Sequence, residues 1–142
     1  MVPEKLQTIV DTFQNAPKQL RLQLLLEYSR KVPPLPTELA ENRGELERVH
    51  ECQTPFFIAT DVADERVQFY FDAPPEAPTT RGFAGVLSEG LNGLSPSEVL
   101  GTPDTFYEDL KLGEVISPLR LRGMTAIMGR LKRQVREQLG EE

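Results

Sequence analysis

The first thirty residues carry apolar side chains at spacings of three and four, which is typical of amphipathic helices. The pattern predicts one helix over residues 3–13 and a second over residues 17–31, with Pro17 at the break. The two apolar stripes are Leu6, Ile9, Val10 and Phe13, then Leu20, Leu24, Leu25 and Tyr28. Because helices joined by a tight break usually pack together, we expect an antiparallel or angled pair.

The middle of the chain changes to a pattern that favours β-strands. Residues 56–62 and 67–72 are rich in aromatic and β-branched side chains, and the short polar segment 63–66 between them predicts a hairpin. A shorter alternating run at 46–50 predicts a third strand. We therefore expect a small antiparallel sheet, preceded by a polar surface loop over residues 37–43.

The segment after the sheet is predicted to return to helix. Thr79 or Thr80 is the expected cap of a helix that continues to Leu91. Gly82 and Gly85 lie inside this helix, although each glycine there costs about 1 kcal/mol relative to alanine. We interpret these glycines as positions where the helix backbone approaches the sheet closely.

Two further helices are predicted to begin at a serine followed by proline. Ser95 and Glu98 form a capping box for a helix of about one turn, and residues 105–110 predict another short helix. Ser117 starts the last and longest helix. Its predicted buried stripe is Met124, Ile127, Met128, Leu131 and Val135. The predicted fold is thus α+β, a small three-stranded antiparallel sheet flanked by helices.

Length and charge exclude several classes of protein. The 142 residues fit a single domain over 1–142, and a net charge of -6 argues against a nucleic-acid binder. No apolar run approaches the roughly 20 residues needed to span a bilayer. Residues 1–5 resemble neither a signal nor a transit segment, and one cysteine cannot form an internal disulfide, so we expect a cytoplasmic protein. The basic segment 120–136 is interpreted as the solvated face of the last helix.

Cys52 is the only cysteine and His50 the only histidine, and both lie where the short strand gives way to a loop. A thiolate metal site needs three or four such ligands, so this chain alone is not expected to bind a metal. A dithiol oxidoreductase would need a second cysteine. A cysteine hydrolase with His50 as base stays open, as does an inert buried cysteine.

Chemistry carried by one sulfur atom is compatible with this composition. The Cys52 thiolate would attack the outer sulfur of a partner's persulfide and keep that sulfur. Because a free thiol is only a few per cent ionised at pH 7, a cation nearby would help. The candidate cations are Arg81, Arg120 and Arg122, whereas Glu51 would disfavour the thiolate.

Three motifs in this order resemble the SufE family of sulfur-acceptor proteins. They are Cys-Gln-Thr at 52–54, Thr-Thr-Arg-Gly-Phe-Ala-Gly at 79–85 and Ser-Pro-Leu-Arg-Leu-Arg-Gly-Met at 117–124. The resemblance extends from the first helix pair to the last helix and implies a fold similar to IscU-type cluster scaffolds. Two positions depart from many relatives, which have glycine in place of Glu51 and serine in place of Thr54.

The resemblance implies a function and a set of site residues. SufE-like proteins take persulfide sulfur from a SufS-type cysteine desulfurase, a pyridoxal-phosphate enzyme, and stimulate it. They pass the sulfur towards an iron–sulfur scaffold complex and need no cofactor of their own. Cys52 is then the acceptor, and Asp72, Arg81 and Arg120 are supporting polar residues near its loop. A non-covalent adaptor that activates the desulfurase stays open, as does a homodimer.

The loop around Cys52 is expected to have two positions. It would shelter the thiol in the free protein and extend it into the desulfurase on docking. The apolar run that begins at Phe56 could line the sheltering pocket. Shelter would protect a bound persulfide from reduction and from over-oxidation.

Overall fold

One three-stranded sheet packed against helices makes up the computed structural model, which describes residues 2–140. The strands are β1 (Glu47–Arg48), β2 (Phe57–Ala63) and β3 (Arg66–Asp72), antiparallel and in that order. The helices are α1 (Glu4–Asn15), α2 (Lys18–Ser29), α3 (Thr37–Glu41), α4 (Pro78–Leu91), α5 (Pro96–Leu100) and α6 (Pro118–Gln138). Short 3-10 helices lie at Arg43–Glu45, Phe106–Leu110 and Leu112–Glu114. The predicted α+β fold is confirmed.

The hairpin of β2 and β3 closes through a two-residue turn. Asp64 and Glu65 have φ angles of 54° and 61°, the left-handed conformation whose twist matches that of the flanking strands. The register pairs Phe57, the first residue of β2, with Asp72, the last residue of β3. The open end of the hairpin therefore lies beside the loop that contains Cys52.

Helix α6 packs against β2, the central strand of the sheet. The predicted stripe is confirmed, since each member is at most 1% exposed: Met124, Ile127, Met128, Leu131 and Val135. Aliphatic side chains and several phenylalanines together fill the core between the helices and the sheet. Phe83 of α4 stacks on Phe106, with ring centroids 5.8 Å apart. No helix between residues 2 and 140 is long and apolar enough to cross a membrane.

The predicted apolar stripe of α2 is wrong in part. Leu25 is buried as expected, but Leu20 is 47% exposed. Helix α2 contacts α4 through close backbone approach rather than through a broad leucine face. A Cβ at Gly82 would lie 2.3 Å from the Leu25 carbonyl oxygen, and one at Gly85 would lie 1.9 Å from that of Tyr28. The lack of side chains at these two glycines thus allows α2 to pack closely on α4. The expectation that they allow close packing on the sheet is wrong.

Two local expectations for helix starts and loops are also corrected. Helix α4 begins at Pro78 with Ala77 before it, so neither Thr79 nor Thr80 caps it. Proline presets the φ angle of a first helical turn and needs no donor, which moves the start earlier in the chain. Residues 37–43 are not a loop, because good helix formers after Pro36 form α3.

The capping box at the start of α5 is confirmed. The Ser95 hydroxyl accepts a hydrogen bond from the Glu98 backbone N–H at 3.2 Å, and the Glu98 carboxylate accepts one from the Ser95 N–H at 3.1 Å. Ser117 likewise accepts a hydrogen bond from the Arg120 backbone N–H at 3.3 Å, which starts α6. The serine–proline signals in the sequence were therefore sufficient to predict where these two helices begin.

Candidate functional site

The loop that carries Cys52 joins β1 to β2 and is closed at its base. The Val49 N–H donates to the Phe56 carbonyl at 2.8 Å, and the Cys52 N–H donates to the Val49 carbonyl at 3.1 Å. The side chains of Val49 and Phe56 are fully buried. These contacts fix the two ends of the loop in the core and place Cys52 on a tight turn between them.

The Cys52 thiol is turned towards α6 and is only 6% exposed. It faces Gly123, where an added Cβ would lie 3.4 Å from Sγ, so the loop packs against the helix at a position without a side chain. Beside the thiol is a cavity of about 20 Å³, close to the space that one water molecule needs. Its lining is Glu51, Cys52, Gln53, Thr54, Thr80, Leu119, Arg120 and Gly123.

Burial makes the Cys52 thiol a weaker acid than a free cysteine. It raises the pKa of Cys52 from 9.0 to about 11, with Glu51 adding to the rise and Arg130 opposing it. The charged thiolate is disfavoured because the protein removes its water and places a carboxylate nearby. In this closed position Cys52 is therefore a protonated thiol at neutral pH and a poor nucleophile.

The structure brings one of the implied supporting residues to the cavity. Arg120 lines it together with Cys52. Arg81 does not line it, because its guanidinium donates to the Ser29 carbonyl at 2.9 Å and to the Ala73 carbonyl at 2.5 Å. Asp72 forms an ion pair with Arg43 rather than with Arg81. Arg81 thus joins the end of α2 to the chain after β3, and its role in sulfur chemistry stays a prediction.

The cation that acts on Cys52 is Arg130, which the sequence interpretation missed. Its guanidinium contacts Glu51 at 2.9 Å and Glu47 at 2.6 Å, and only 26% of its side chain is exposed. The interpretation of the basic segment as a solvated face is therefore wrong for Arg130. The sequence held no local signal for this pairing, since Glu47 and Glu51 lie in a strand and a loop, 83 and 79 residues away from Arg130 in the chain.

His50 is not placed to act as a base for the thiol. Its side chain is exposed, whereas Cys52 is buried against α6, and no hydrogen bond joins the two. In the closed position, His50 and Cys52 therefore do not form the hydrogen-bonded pair of a Cys–His hydrolase. Within residues 2–140 no cluster of three or more His, Cys, Asp or Glu side chains could hold a metal ion.

Comparison with known proteins identifies the family. The model of the SufE family, described as an Fe-S metabolism associated domain, matches residues 7–135. A SufE-like protein of Mycobacterium tuberculosis is 46% identical over 96% of this chain and 94% of its own length. The cysteine desulfuration protein SufE of Plasmodium vivax is 27% identical over 90% of this chain and 51% of its own length. The solution structure of a hypothetical protein from Thermus thermophilus matches with a TM-score of 0.88 and 52% identity, covering 99% of this chain and 100% of that one. The chain therefore belongs to the SufE family and has a role in iron–sulfur metabolism.

Proposed function

We propose that the protein is a sulfur acceptor, which takes sulfur onto Cys52 from the persulfide of a SufS-type cysteine desulfurase. It stimulates that enzyme and delivers the sulfur to an iron–sulfur scaffold complex in the cytoplasm. Family membership supports the desulfurase as partner, as does the relative named for cysteine desulfuration. The observation that carries the proposal is a single thiol on a loop turn beside its own small cavity.

The transfer needs one sulfur nucleophile and no net oxidation. The Cys52 thiolate attacks the outer sulfur of the donor persulfide, a new S–S bond forms, and the S–S bond of the donor breaks. The donor cysteine leaves as a thiolate and takes up a proton, which balances the proton lost by Cys52. The products are a Cys52 persulfide and a free donor thiol, so the donor can begin another turnover.

The closed position suits storage of the sulfur rather than its capture. With a pKa of about 11, the thiol would rarely be ionised before a partner docks. The cavity of about 20 Å³ beside Sγ offers space for one additional atom of sulfur. A persulfide folded back into this space would be kept from small reductants and oxidants. Capture therefore requires the loop to leave α6, and storage requires it to return.

The test is to incubate the protein with a SufS-type desulfurase and cysteine, and to analyse it by intact-mass and peptide mass spectrometry. Wild type is expected to gain one sulfur atom on the peptide that contains Cys52 and to raise desulfurase turnover. Cys52→Ser should show neither effect. His50→Ala is the matched control, because it changes the same loop but keeps the thiol. A folded wild type that gains no sulfur beside an active desulfurase would end the proposal.

A second candidate function is an adaptor that activates the desulfurase without covalent sulfur. The observation in its favour is the closed thiol itself, since Cys52 is 6% exposed and burial raises its pKa to about 11. An inert buried cysteine would have the same properties. The same assay separates the two functions, because an adaptor would retain its stimulation of turnover in Cys52→Ser.

A further inference from the structure

One guanidinium connects the Cys52 loop to α6. Arg130 donates through Nε to Glu51 Oε1 at 3.0 Å, and its Nη2 lies 2.9 Å from the same oxygen. Its Nη1 donates to Glu47 Oε2 at 2.6 Å. Arg130 thus bonds both to β1, which is part of the sheet, and to the residue immediately before Cys52.

The carboxylate of Glu47 has more hydrogen-bond partners than the carboxylate of Glu51. Glu47 also accepts hydrogen bonds from Arg133 and, at 2.9 Å, from Gln134, and 25% of its side chain is exposed. The Glu51 side chain is 47% exposed, and the partner found for it among residues 2–140 is Arg130. Removing Glu51 from α6 therefore breaks one exposed ion pair, whereas removing Glu47 breaks a network.

The position of Glu51 relative to Cys52 makes this ion pair relevant to the thiol. The loop lies against α6 at Gly123, where an added Cβ would be 3.7 Å from the Glu51 carbonyl oxygen and 3.8 Å from the Cys52 Cα. Because the two residues are adjacent, a movement that lifts Cys52 from this contact also pulls the Glu51 carboxylate away from Arg130. Exposure of the thiol and rupture of the ion pair are thus parts of one motion.

We infer that Arg130 is a positioning residue and forms with Glu51 a latch that keeps the Cys52 loop closed on α6 until a sulfur donor docks. The inference rests on the proposed function for its purpose, but the latch itself is a property of the free protein. An exposed ion pair shifts an open–closed equilibrium by roughly 1.5- to 5-fold. An ion pair of this strength favours the closed loop, and a docking partner can still break it.

Hydrogen exchange in the free protein tests the latch without any donor. The amides of residues 50–54, including the Cys52 N–H bonded to Val49, should exchange roughly 1.5- to 5-fold faster in Glu51→Ala and in Arg130→Ala. Amides of β2 and β3 should keep their wild-type rates, which shows that the fold is intact. Arg133→Ala is the matched control, since Arg133 contacts Glu47 but not Glu51. Equal acceleration by Arg133→Ala, or none in Glu51→Ala, would overturn the latch.

Two further measurements separate a latch from general loosening. In the double variant Glu51→Ala/Arg130→Ala, exchange of the loop amides should equal that of the single variants, because each residue acts through the other. High salt should accelerate these amides in wild type but not in Glu51→Ala, since salt screens an exposed ion pair. Additive effects of the two substitutions, or equal salt effects in wild type and Glu51→Ala, would contradict the inference.

A single-turnover transfer assay connects the latch to the proposed function. With a persulfide-loaded desulfurase, both Glu51→Ala and Arg130→Ala should load Cys52 faster than wild type. The two variants change the pKa of Cys52 in opposite directions, since Glu51 raises it and Arg130 lowers it, so faster loading by both reports loop opening rather than thiol ionisation. If neither wild type nor variant gains sulfur, the proposed function fails while the exchange data still decide the latch. If wild type and the variants gain sulfur at the same rate, the latch does not gate transfer and the inference is overturned.

Discussion

Unfolding the protein should make its thiol roughly 10-fold more reactive at neutral pH. Burial and the neighbouring carboxylate of Glu51 raise the pKa of Cys52 from 9.0 to about 11. At pH 7 the thiolate fraction then falls from about 1% in the unfolded chain to about 0.01% in the folded protein. Only the thiolate reacts, but the thiolate of a thiol with a higher pKa is the stronger nucleophile, so the pKa shift slows alkylation by roughly 10-fold rather than 100-fold.

The assay is alkylation by iodoacetamide, followed by mass spectrometry, in buffer and in urea between about pH 6.5 and pH 10. The unfolded chain should react faster with rising pH and level off near pH 9, whereas the folded protein should show a rate still rising at pH 10. Poor access of the reagent alone would slow the reaction but leave the bend of the curve near pH 9. A bend at that position in the folded protein would therefore refute the assignment of a raised pKa to Cys52.

The same pKa shift predicts how stability depends on pH. Since the folded state holds the proton more tightly, the contribution of Cys52 is fully present below pH 9 and is lost as pH rises towards 11. The loss over this window is about 3 kcal/mol. Because burial also raises the pKa of Tyr28 and Tyr70, the measured quantity is the difference between wild type and Cys52→Ser in urea unfolding at each pH. A constant difference from pH 8 to pH 11 would contradict the predicted linkage.

Four further substitutions test the packing of the fold and of the site, three by urea unfolding and one by persulfide decay. Gly85→Ala should cost about 1–3 kcal/mol or more, since its Cβ would lie 1.9 Å from a carbonyl oxygen of α2. Gly129→Ala, which meets nothing within 4 Å, should instead gain about 0.5–1 kcal/mol, and equal effects would refute the close approach. Arg81→Ala should cost about 1.5–3 kcal/mol, because two carbonyls lose a charged donor; an unchanged stability would argue against this role. Gly123→Ala should fold normally yet shorten the lifetime of the persulfide in dithiothreitol, as its methyl group would lie 3.4 Å from Sγ; an unchanged lifetime would exclude storage in the cavity.

The parts of the fold that could be predicted are those decided by local patterns. The hairpin follows from two aromatic and β-branched runs around a short polar segment, and its strands were placed within one residue. Helix α6 follows from a starting serine and proline and from five apolar residues at helical spacing, all of them buried. In both cases the sequence separation is small and one side of the element is clearly apolar.

The parts that could not be predicted depend on contacts between distant segments. The stripe of α2 was assigned from leucine spacing, but Gly82 and Gly85 bring α4 so close to its backbone that Leu25 is buried while Leu20 is 47% exposed. From the sequence, the cations expected to favour the Cys52 thiolate were the basic residues within the motifs. The cation that acts on it is Arg130, which lies 78 positions further along the chain and meets Glu51 only after α6 packs on the sheet.

In the proposed sulfur transfer, shelter and reactivity place opposite demands on Cys52, and the loop would meet both demands by a motion confined to its own residues. Burial that protects a persulfide also removes the thiolate that captures it, so one static position cannot serve both steps. Val49 and Phe56 are fully buried and hydrogen-bonded to each other, so the base of the loop would stay in the core if residues 50–55 moved. In the proposed cycle, a sulfur donor would have to break the Glu51–Arg130 ion pair and the few hydrogen bonds of the loop, such as that of the Cys52 N–H to Val49, and to uncover one small side chain. The sheet and α6 would keep their packing.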